Sequence, residues 1–580
     1  MPLLLKKAIG LLGQAAARHL ERAARRPELV QREFLFKLLR RNASTAFGRL
    51  HGFASLRDEA EFRRRVPIRD YEGFRPYVNR IMLGERRVLT ASEPFMLTMT
   101  SGTTGEPKLI PVTRESRCSN ARLMNYWFAH ALKAHPRFLD QKGIGVVSQA
   151  IEGYTSAGLP YGSMSGLTYK NLPLLLRRRQ AIPYEVFEAK DYDERYFLMA
   201  RAALAAQVSF IATPNPSTLI RLAQVCDERK QELIRAIYDG TPGVELRSQP
   251  ELLARLAATF RPDPARASLL THLVQQTGRL RPSDCWSNLG LIACWIGGSS
   301  HLQARQLAAL YGDVPLRDLG YMASEGHFTV PLEDCAPQGL LALADNYYEF
   351  IPEAETESAR PLTLSSHELE EGARYSILLT TSGGLYRYRI GDMVEVAGFR
   401  ERAPLLAFIR KEGEMASITG EKMHVNHLLM AVEQVRQKYG LAIEQLRAAP
   451  DFARSRYEVY LELRGDAPDQ MLRAEVLPEL DRALCRANIE YAQKRQSKRL
   501  NPPRLHLMAR GWANAERRRA VEGGKRDAQY KWRILCQEVQ PEDARAVVRS
   551  IEMEKHTTAG RVDSLRTQDA TATLRRALVA

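Results

Sequence analysis

The stretch from Thr98 to Thr113 reads T-M-T-S-G-T-T-G-E-P-K-L-I-P-V-T, so the hydroxyls of Ser101, Thr103 and Thr104 and the glycines Gly102 and Gly105 come just ahead of Lys108. Glycine lets the backbone turn sharply and present consecutive amides, the hydroxyls add donors, and a lysine adds charge; together they make an anion cradle in principle. It is not a Walker loop. The G-x-x-x-x-G-K-[ST] pattern is absent, and Leu109-Ile110-Pro111-Val112 predicts a strand where a Walker loop would open a helix. P-loop kinase chemistry is therefore disfavoured. Taken alone, a flexible Ser/Thr/Gly hairpin turn accounts for most runs of this composition, but the Glu106-Pro107-Lys108 ending makes this one more specific.

With that ending, the run closely resembles the phosphate-binding motif of adenylate-forming enzymes, and within them that of the Gretchen Hagen (auxin-responsive) family of acyl acid amido synthetases. Two further stretches carry the same resemblance in the expected order: Gly320-Tyr321-Met322-Ala323-Ser324-Glu325 and Tyr386-Arg387-Tyr388-Arg389-Ile390-Gly391-Asp392. It extends to Asn42 through Phe53, to Tyr347 through Pro352, to Phe408-Ile409-Arg410, and to Gln529-Tyr530-Lys531 followed by Arg533, and so covers roughly residues 40 to 540. Met322 and Ala323 depart from the small-residue pattern of plant members, which bears on local pocket shape.

The resemblance implies roles. Ser101, Gly102, Thr103, Thr104, Gly105 and Lys108 would hold the phosphates of ATP. Tyr321 would offer its ring to adenine, with Ser324 in the same motif. Glu325 would supply a hard carboxylate to Mg2+, and Asp392 would accept hydrogen bonds from the ribose hydroxyls. Arg410 falls at the family's hinge beside the nucleotide, Lys422 matches a family lysine, and Lys531 matches the C-terminal lysine that neutralises charge as a carboxylate attacks the α-phosphate. Without the motifs, each has a plainer reading: a core tyrosine, surface ion pairs, a Gly391-Asp392 turn between two strands, a surface arginine. Gly297-Gly298-Ser299-Ser300-His301 lacks the G-x-S-x-G spacing of a hydrolase elbow and reads as a glycine-rich turn after a buried strand.

These residues need a scaffold. Residues 27 to about 90 read as mostly helical, with a Pro67 turn before an aromatic-rich stretch from Tyr71 to Tyr77. Helical stretches at Glu194–Gln207 and Leu219–Tyr238 alternate with strand-like Val208–Ala212 and Ile292–Ile296, which predicts an α/β architecture. A β-rich section runs from Leu340 to Val396, and a helix-rich segment with one alternating strand, Tyr457–Leu463, follows Arg410. We expect a large N-terminal adenylation domain over residues 1–410, with β-sheets and a β-rich section packed with helices. A smaller mobile α+β domain over 411–545 and a flexible tail over 546–580 would complete the chain. No internal repeat is evident.

Composition sets the outer limits. At 580 residues, 45% hydrophobic and 26% charged, the chain has the make-up of a multidomain globular enzyme. Its seven cysteines are scattered without zinc spacing and read as reduced core thiols. Residues 1–26 place Ile9, Leu12, Ala16 and Leu20 at helical spacing, an amphipathic helix rather than an export signal. The longest uncharged stretch, Cys285–Ala304, is too polar to span a membrane. The net charge of +17 is concentrated between Lys494 and Arg533, where thirteen Lys or Arg face three acids. Solvated helix faces explain that patch as well as a polyanionic partner does.

The expectation is a cytoplasmic ligase, a monomer or weak dimer, that uses ATP and Mg2+ to activate a carboxylic acid as acyl-AMP and passes the acyl group to an amine, by family analogy an amino acid. Neither a specific nucleic acid nor a membrane span enters this reading. An acyl-CoA ligase sharing the first half-reaction and a catalytically inactive nucleotide-binding relative are the alternatives. A nucleic-acid-binding protein has only the basic patch in its favour.

Overall fold

Strand propensity and glycine turns alternate with capped helices, and the result is a parallel sheet, a mixed sheet, a long antiparallel sheet and a separate C-terminal sheet. The computed structural model describes residues 2–100, 108–297, 300–412, 415–419, 421–523, 527, 530–538 and 540–553. Lys142–Gly145, Val208–Ala212, Leu291–Ala293 and Leu316–Arg317 form the parallel sheet, in that order. The connecting helices include Tyr192–Leu204 and Pro216–Glu228, and their apolar faces bury Phe197, Leu198, Leu219 and Leu222 against the strands. Crossovers between parallel strands need such helices. The stretch expected as one helix over Leu219–Tyr238 is two, Pro216–Glu228 and Lys230–Asp239. The strand expected over Ile292–Ile296 stops at Ala293, freeing residues 294–297 as a loop.

The mixed sheet pairs Met96–Thr100 with Lys108–Val112 antiparallel, so that Thr100 faces Lys108 across residues 101–107. Pro160–Gly162 runs parallel on the other side of Met96–Thr100. Thr113 ends the Lys108–Val112 strand and caps the helix Arg114–Ala134: its hydroxyl accepts from the Ser116 amide while the Ser116 hydroxyl accepts from the Thr113 amide, satisfying two donors at the helix start.

The long antiparallel sheet carries six strands in the order Thr329–Val330, Gly339–Leu341, Ala403–Lys411, Tyr388–Arg400, Arg374–Thr380, Tyr347–Pro352. Here the turn expected at Gly391-Asp392 is not formed. Tyr388–Arg400 is one thirteen-residue strand, and Gly391 at φ 73° sits inside it beside a register shift between Met393 and Val394. Only glycine takes that backbone angle without strain, so the residue that reads as a turn marks an irregular strand instead.

Residues from Ala416 to Ile551 build a core of their own around Leu446, Tyr457, Leu480 and Trp512. Ile443–Asp451, Arg456–Leu463, Arg504–Met508 and Val547–Ile551 form its sheet. The last of these strands pairs antiparallel with Arg504–Met508 and buries Ile551, so the segment expected as a tail from 546 begins within this sheet. Residues 554–580 lie outside the described residues. The N-terminal helix Pro2–Arg25 buries Ala16 and Leu20 as its spacing predicts, but Leu12 is exposed because the buried stripe continues through Gly13 onto Ala129. All seven cysteines are free thiols. Cys118 and Cys335 are exposed, so the reading of every cysteine as a core thiol holds only for the others, of which Cys485 is half-buried. Among the described residues, no helix is long and apolar enough to cross a membrane.

Candidate active site

Three loops leave the carboxyl ends of neighbouring parallel strands: residues 213–215, 294–297 and 318–321. In open α/β sheets this edge is where ligands bind. Asp318 ties the last two loops together, accepting from the Ile296 amide at 2.8 Å and from the Gly320 amide at 2.7 Å. Burial pushes its carboxyl up to about 7. Gly320 has φ 93°, and a Cβ there would lie 2.1 Å from the Thr329 carbonyl, so no larger residue fits this turn into Tyr321.

Tyr321 is brought by that turn against the antiparallel sheet. Its hydroxyl donates to Asp392 Oδ2 at 2.6 Å, and its ring lies 5.8 Å from Phe408 and 5.0 Å from Phe328. Burial, then the nearby Asp392 carboxylate, raises the Tyr321 phenol above its ordinary range. The two motif residues expected at adenine and ribose therefore meet, although seventy-one residues separate them. Lys411 completes the group: it stands opposite Asp392 on the neighbouring strand, and its ammonium pairs with Asp392 Oδ1.

Alternation along the third motif divides its labour. Tyr386 packs on Phe47 at 4.8 Å and donates to the Leu89 carbonyl, while Arg387 forms a buried ion pair with Glu349 at 2.9 Å and donates to the carbonyls of Arg63 and Val66. These two are architectural. Tyr388 points to the site, its hydroxyl donating to Glu325 Oε1 at 3.1 Å. Glu325 and Ser324 form the tight turn between Met322–Ala323 and Gly326–His327. Tyr71, placed at the start of its helix by the Asp70 cap, stands between this carboxylate and the Lys108–Val112 strand. Its hydroxyl receives the Leu109 amide at 2.7 Å, Lys108 Nζ lies 5.7 Å from its ring, and the Glu325 charge is among the influences raising its pKa, after burial.

Lys531 arrives from the C-terminal region. Its Nζ lies 5.1 Å from the ring of Trp295 and 5.7 Å from that of Phe408, the residue that also contacts Tyr321. Trp295 is fixed at both ends, its amide donating to the Pro214 carbonyl and its indole to the Gly320 carbonyl. Its ammonium thus lies over two aromatic faces, whose quadrupoles attract a cation.

Tyr321, Glu325, Asp392 and Lys531, with Lys108 and Ser324, are thus gathered around one edge. Ser101, Gly102, Thr103, Thr104 and Gly105 lie outside the described residues, between Thr100 and Lys108. Arg410 and Lys422 go elsewhere. Arg410 is the partner of Met393, not of Asp392, and faces the opposite side of the strand pair. There it pairs with Glu353 at 2.7 Å and, with Arg374, Arg389, Lys422 and His424, lines a cleft of about 740 Å³ between the antiparallel sheet and the C-terminal region. Much of the basic 494–533 patch is paired with acids: Arg495 with Asp481, Arg504 with Glu552, Arg517 with Asp527 and Arg518 with Asp193. Sequence reasoning missed Lys411, Tyr71 and Trp295. Counting outward from the Glu401–Arg402 turn pairs Asp392 with Lys411, and that signal was available.

An aromatic–carboxylate pair at the carboxyl edge of a parallel sheet, with Lys108 on one side and Lys531 on the other, is a class of site that can take the base, ribose and phosphates of a nucleotide. The sequence matches three successive family models: the GH3 family N-terminal domain over residues 16–316, the GH3 family central domain over 339–411 and the GH3 family C-terminal domain over 426–540. The chain belongs to the GH3 family. It is 25% identical to a jasmonoyl–L-amino acid synthetase of Nicotiana attenuata, covering 83% of this chain and 86% of that one. It is 27% identical to a probable indole-3-acetic acid-amido synthetase of Oryza sativa subsp. japonica, covering 88% and 91%. A solved acyl acid amido synthetase in complex with 2,4-DB shares the fold at a TM-score of 0.81 and 21% identity, covering 94% of this chain and 98% of that one.

Proposed function

We propose that this protein is an acyl acid amido synthetase that couples a carboxylic acid to an amino acid in two steps. A carboxylate oxygen attacks the α-phosphorus of ATP, the bond to the β-phosphate oxygen breaks, and pyrophosphate leaves acyl-AMP behind. The amine nitrogen then attacks the acyl carbon, the anhydride bond between that carbon and the AMP phosphate oxygen breaks, the nitrogen gives up a proton to solvent, and AMP departs with the amide formed. The observation that supports this reading is the Tyr321–Asp392 hydrogen bond, which brings the second and third motifs side by side.

Each residue has work that its position allows. Tyr321 presents an aromatic ring to adenine while its hydroxyl and Lys411 hold Asp392 in place to accept from the ribose hydroxyls. Lys108 and the loop before it take the phosphates, and Lys531 offsets the charge that grows on the α-phosphate during attack. Glu325, a hard oxygen donor steadied by Tyr388, fits Mg2+, which when bound supplies charge neutralisation to the phosphates. The C-terminal domain, whose core begins at Ala416, turns against the N-terminal one between the two steps, with Arg410 beside the hinge, and brings Lys422 to the nucleotide in the second orientation. The enzyme works in the cytoplasm as a monomer or weak dimer.

The test is mass-spectrometric. Incubation with ATP, Mg2+, CoA, a pool of aryl, indole and fatty acids and the twenty amino acids is expected to give an amide conjugate together with AMP. Formation of ADP instead of AMP, or of a CoA thioester in preference to any amide, would contradict the reading.

A further inference from the structure

Arg517 is among the most buried cations of the chain, 2% exposed, on the helix Trp512–Glu522 of the C-terminal region. Its partners come from both sides of the interface. Nε donates to Asp527 Oδ1 at 2.6 Å, Nη1 to Ser217 Oγ at 2.7 Å, and Nη2 to Tyr196 Oη at 2.9 Å and Thr218 Oγ1 at 2.8 Å. Tyr196 in turn donates to the other oxygen of Asp527 at 2.8 Å. Ser217 and Thr218 open the helix Pro216–Glu228, whose N-cap, Asn215, donates through Nδ2 to the Tyr530 carbonyl at 2.6 Å. The neighbouring Pro214 carbonyl holds the amide of Trp295, the ring under Lys531. Hydrogen bonds therefore run from Arg517 to Ser217, from Ser217 to Asn215 Oδ1 and from Asn215 to the carbonyl of Tyr530, which precedes Lys531, while the adjoining Pro214 fixes the ring under the Lys531 ammonium.

A planar guanidinium with five donors in a fixed fork is satisfied in one geometry only. Rotation would keep Asp527 with Arg517 but remove the hydroxyl acceptors of Ser217, Tyr196 and Thr218, so the guanidinium is fully satisfied only with the C-terminal region seated here, and buried donors left without acceptors are costly. We propose that Arg517 is a positioning residue that locks the C-terminal region in the orientation delivering Lys531 to the site, so that it serves the adenylation step and not the transfer step. The proposal rests on the two-step reading above and adds to it an orientation lock remote from the reacting atoms.

The experiment separates the half-reactions with the full-length protein. Acid-dependent exchange of pyrophosphate into ATP reports the first; single-turnover transfer from a synthetic acyl adenylate of the accepted acid to the amine reports the second. Arg517→Gln is expected to lower exchange 10- to 100-fold and leave transfer within twofold. Tyr196→Phe and Thr218→Val, made on the other side of the interface, should each lower exchange 3- to 10-fold, which keeps the test open if Arg517→Gln does not fold. Because the lock acts through Lys531, the double variant Arg517→Gln/Lys531→Ala should be no slower in exchange than Lys531→Ala alone. Equal loss in both half-reactions, or fully additive losses in the double variant, would overturn the proposal. Amide hydrogen exchange over 192–204 and 216–228 gives a readout that needs no substrate: it should accelerate in Arg517→Gln, and unchanged protection would overturn the lock. Absence of pyrophosphate exchange in the wild type with every acid would instead count against the two-step reading, with hydrogen exchange still deciding the lock.

Discussion

Replacing Asp392 by asparagine isolates its charge from its shape. The carboxylate is 3% exposed and accepts from Tyr321 at 2.6 Å while Lys411 pairs with its other oxygen. An asparagine Oδ1 can keep the Tyr321 bond, and Lys411 is exposed enough to be rehydrated, so the fold should survive with an unchanged unfolding midpoint. What is lost is one charge-assisted acceptor for a ribose hydroxyl, worth about 1.5–3 kcal/mol. At about 1.4 kcal/mol per tenfold change, kcat/KM for ATP should fall by about 10- to 150-fold. The assay is pyrophosphate exchange as a function of ATP at saturating acid, with the acid dependence measured separately. The loss should appear against ATP and leave KM for the acid within about twofold, since Asp392 is assigned no acyl contact. A folded variant with unaltered ATP dependence would refute the reasoning, because it would mean that the Tyr321–Asp392 pair is only a core contact.

Other expectations follow from particular contacts. Lys531→Ala removes an exposed cation, so the melting temperature should hold while adenylation falls by about 10²- to 10³-fold, the usual cost of deleting a donor aimed at developing charge; a loss under about threefold would argue that another residue does this work. Arg387→Met strips Glu349 of its main partner inside the antiparallel sheet, leaving Arg63 at 3.4 Å, and should cost about 3 kcal/mol in urea unfolding, whereas adding Glu349→Leu should restore part of it. His327 is fully buried, and burial lowers its pKa from 6.5 to about 4. The unfolded chain then binds a proton below pH 6.5 that the folded chain refuses until about pH 4, so stability should fall with falling pH across that window by up to about 3 kcal/mol. His327→Gln should flatten that slope in pH-resolved urea titrations; an unchanged slope would place the acid sensitivity elsewhere.

The candidate site was named from the sequence because the family resemblance is carried by short runs of residues. The Lys108–Val112 strand follows from local propensity, and the Tyr- and Arg-rich run before Gly391 reads as strand as well. Their meeting was not legible, because it depends on the lengths and packing of helices between them. Tyr321 reaches Asp392 only because the parallel strand Leu316–Arg317 ends where the antiparallel sheet begins. Gly391 misled for a definable reason: a positive φ serves a turn and an irregular strand equally. Arg410 was grouped with the nucleotide residues by its resemblance to the family's hinge, and in this orientation strand alternation sets Lys411, not Arg410, beside Asp392. Arg517 was invisible for a third reason, since nothing in a run of basic residues shows which one will be buried in an interface.

The most direct measurement is acid-dependent exchange of labelled pyrophosphate into ATP by the wild-type protein, screened over aryl, indole and fatty acids. The account predicts exchange that requires one class of acid and Mg2+ and disappears in Asp392→Ala. Failure to bind ATP, or exchange that persists in that variant, would contradict it.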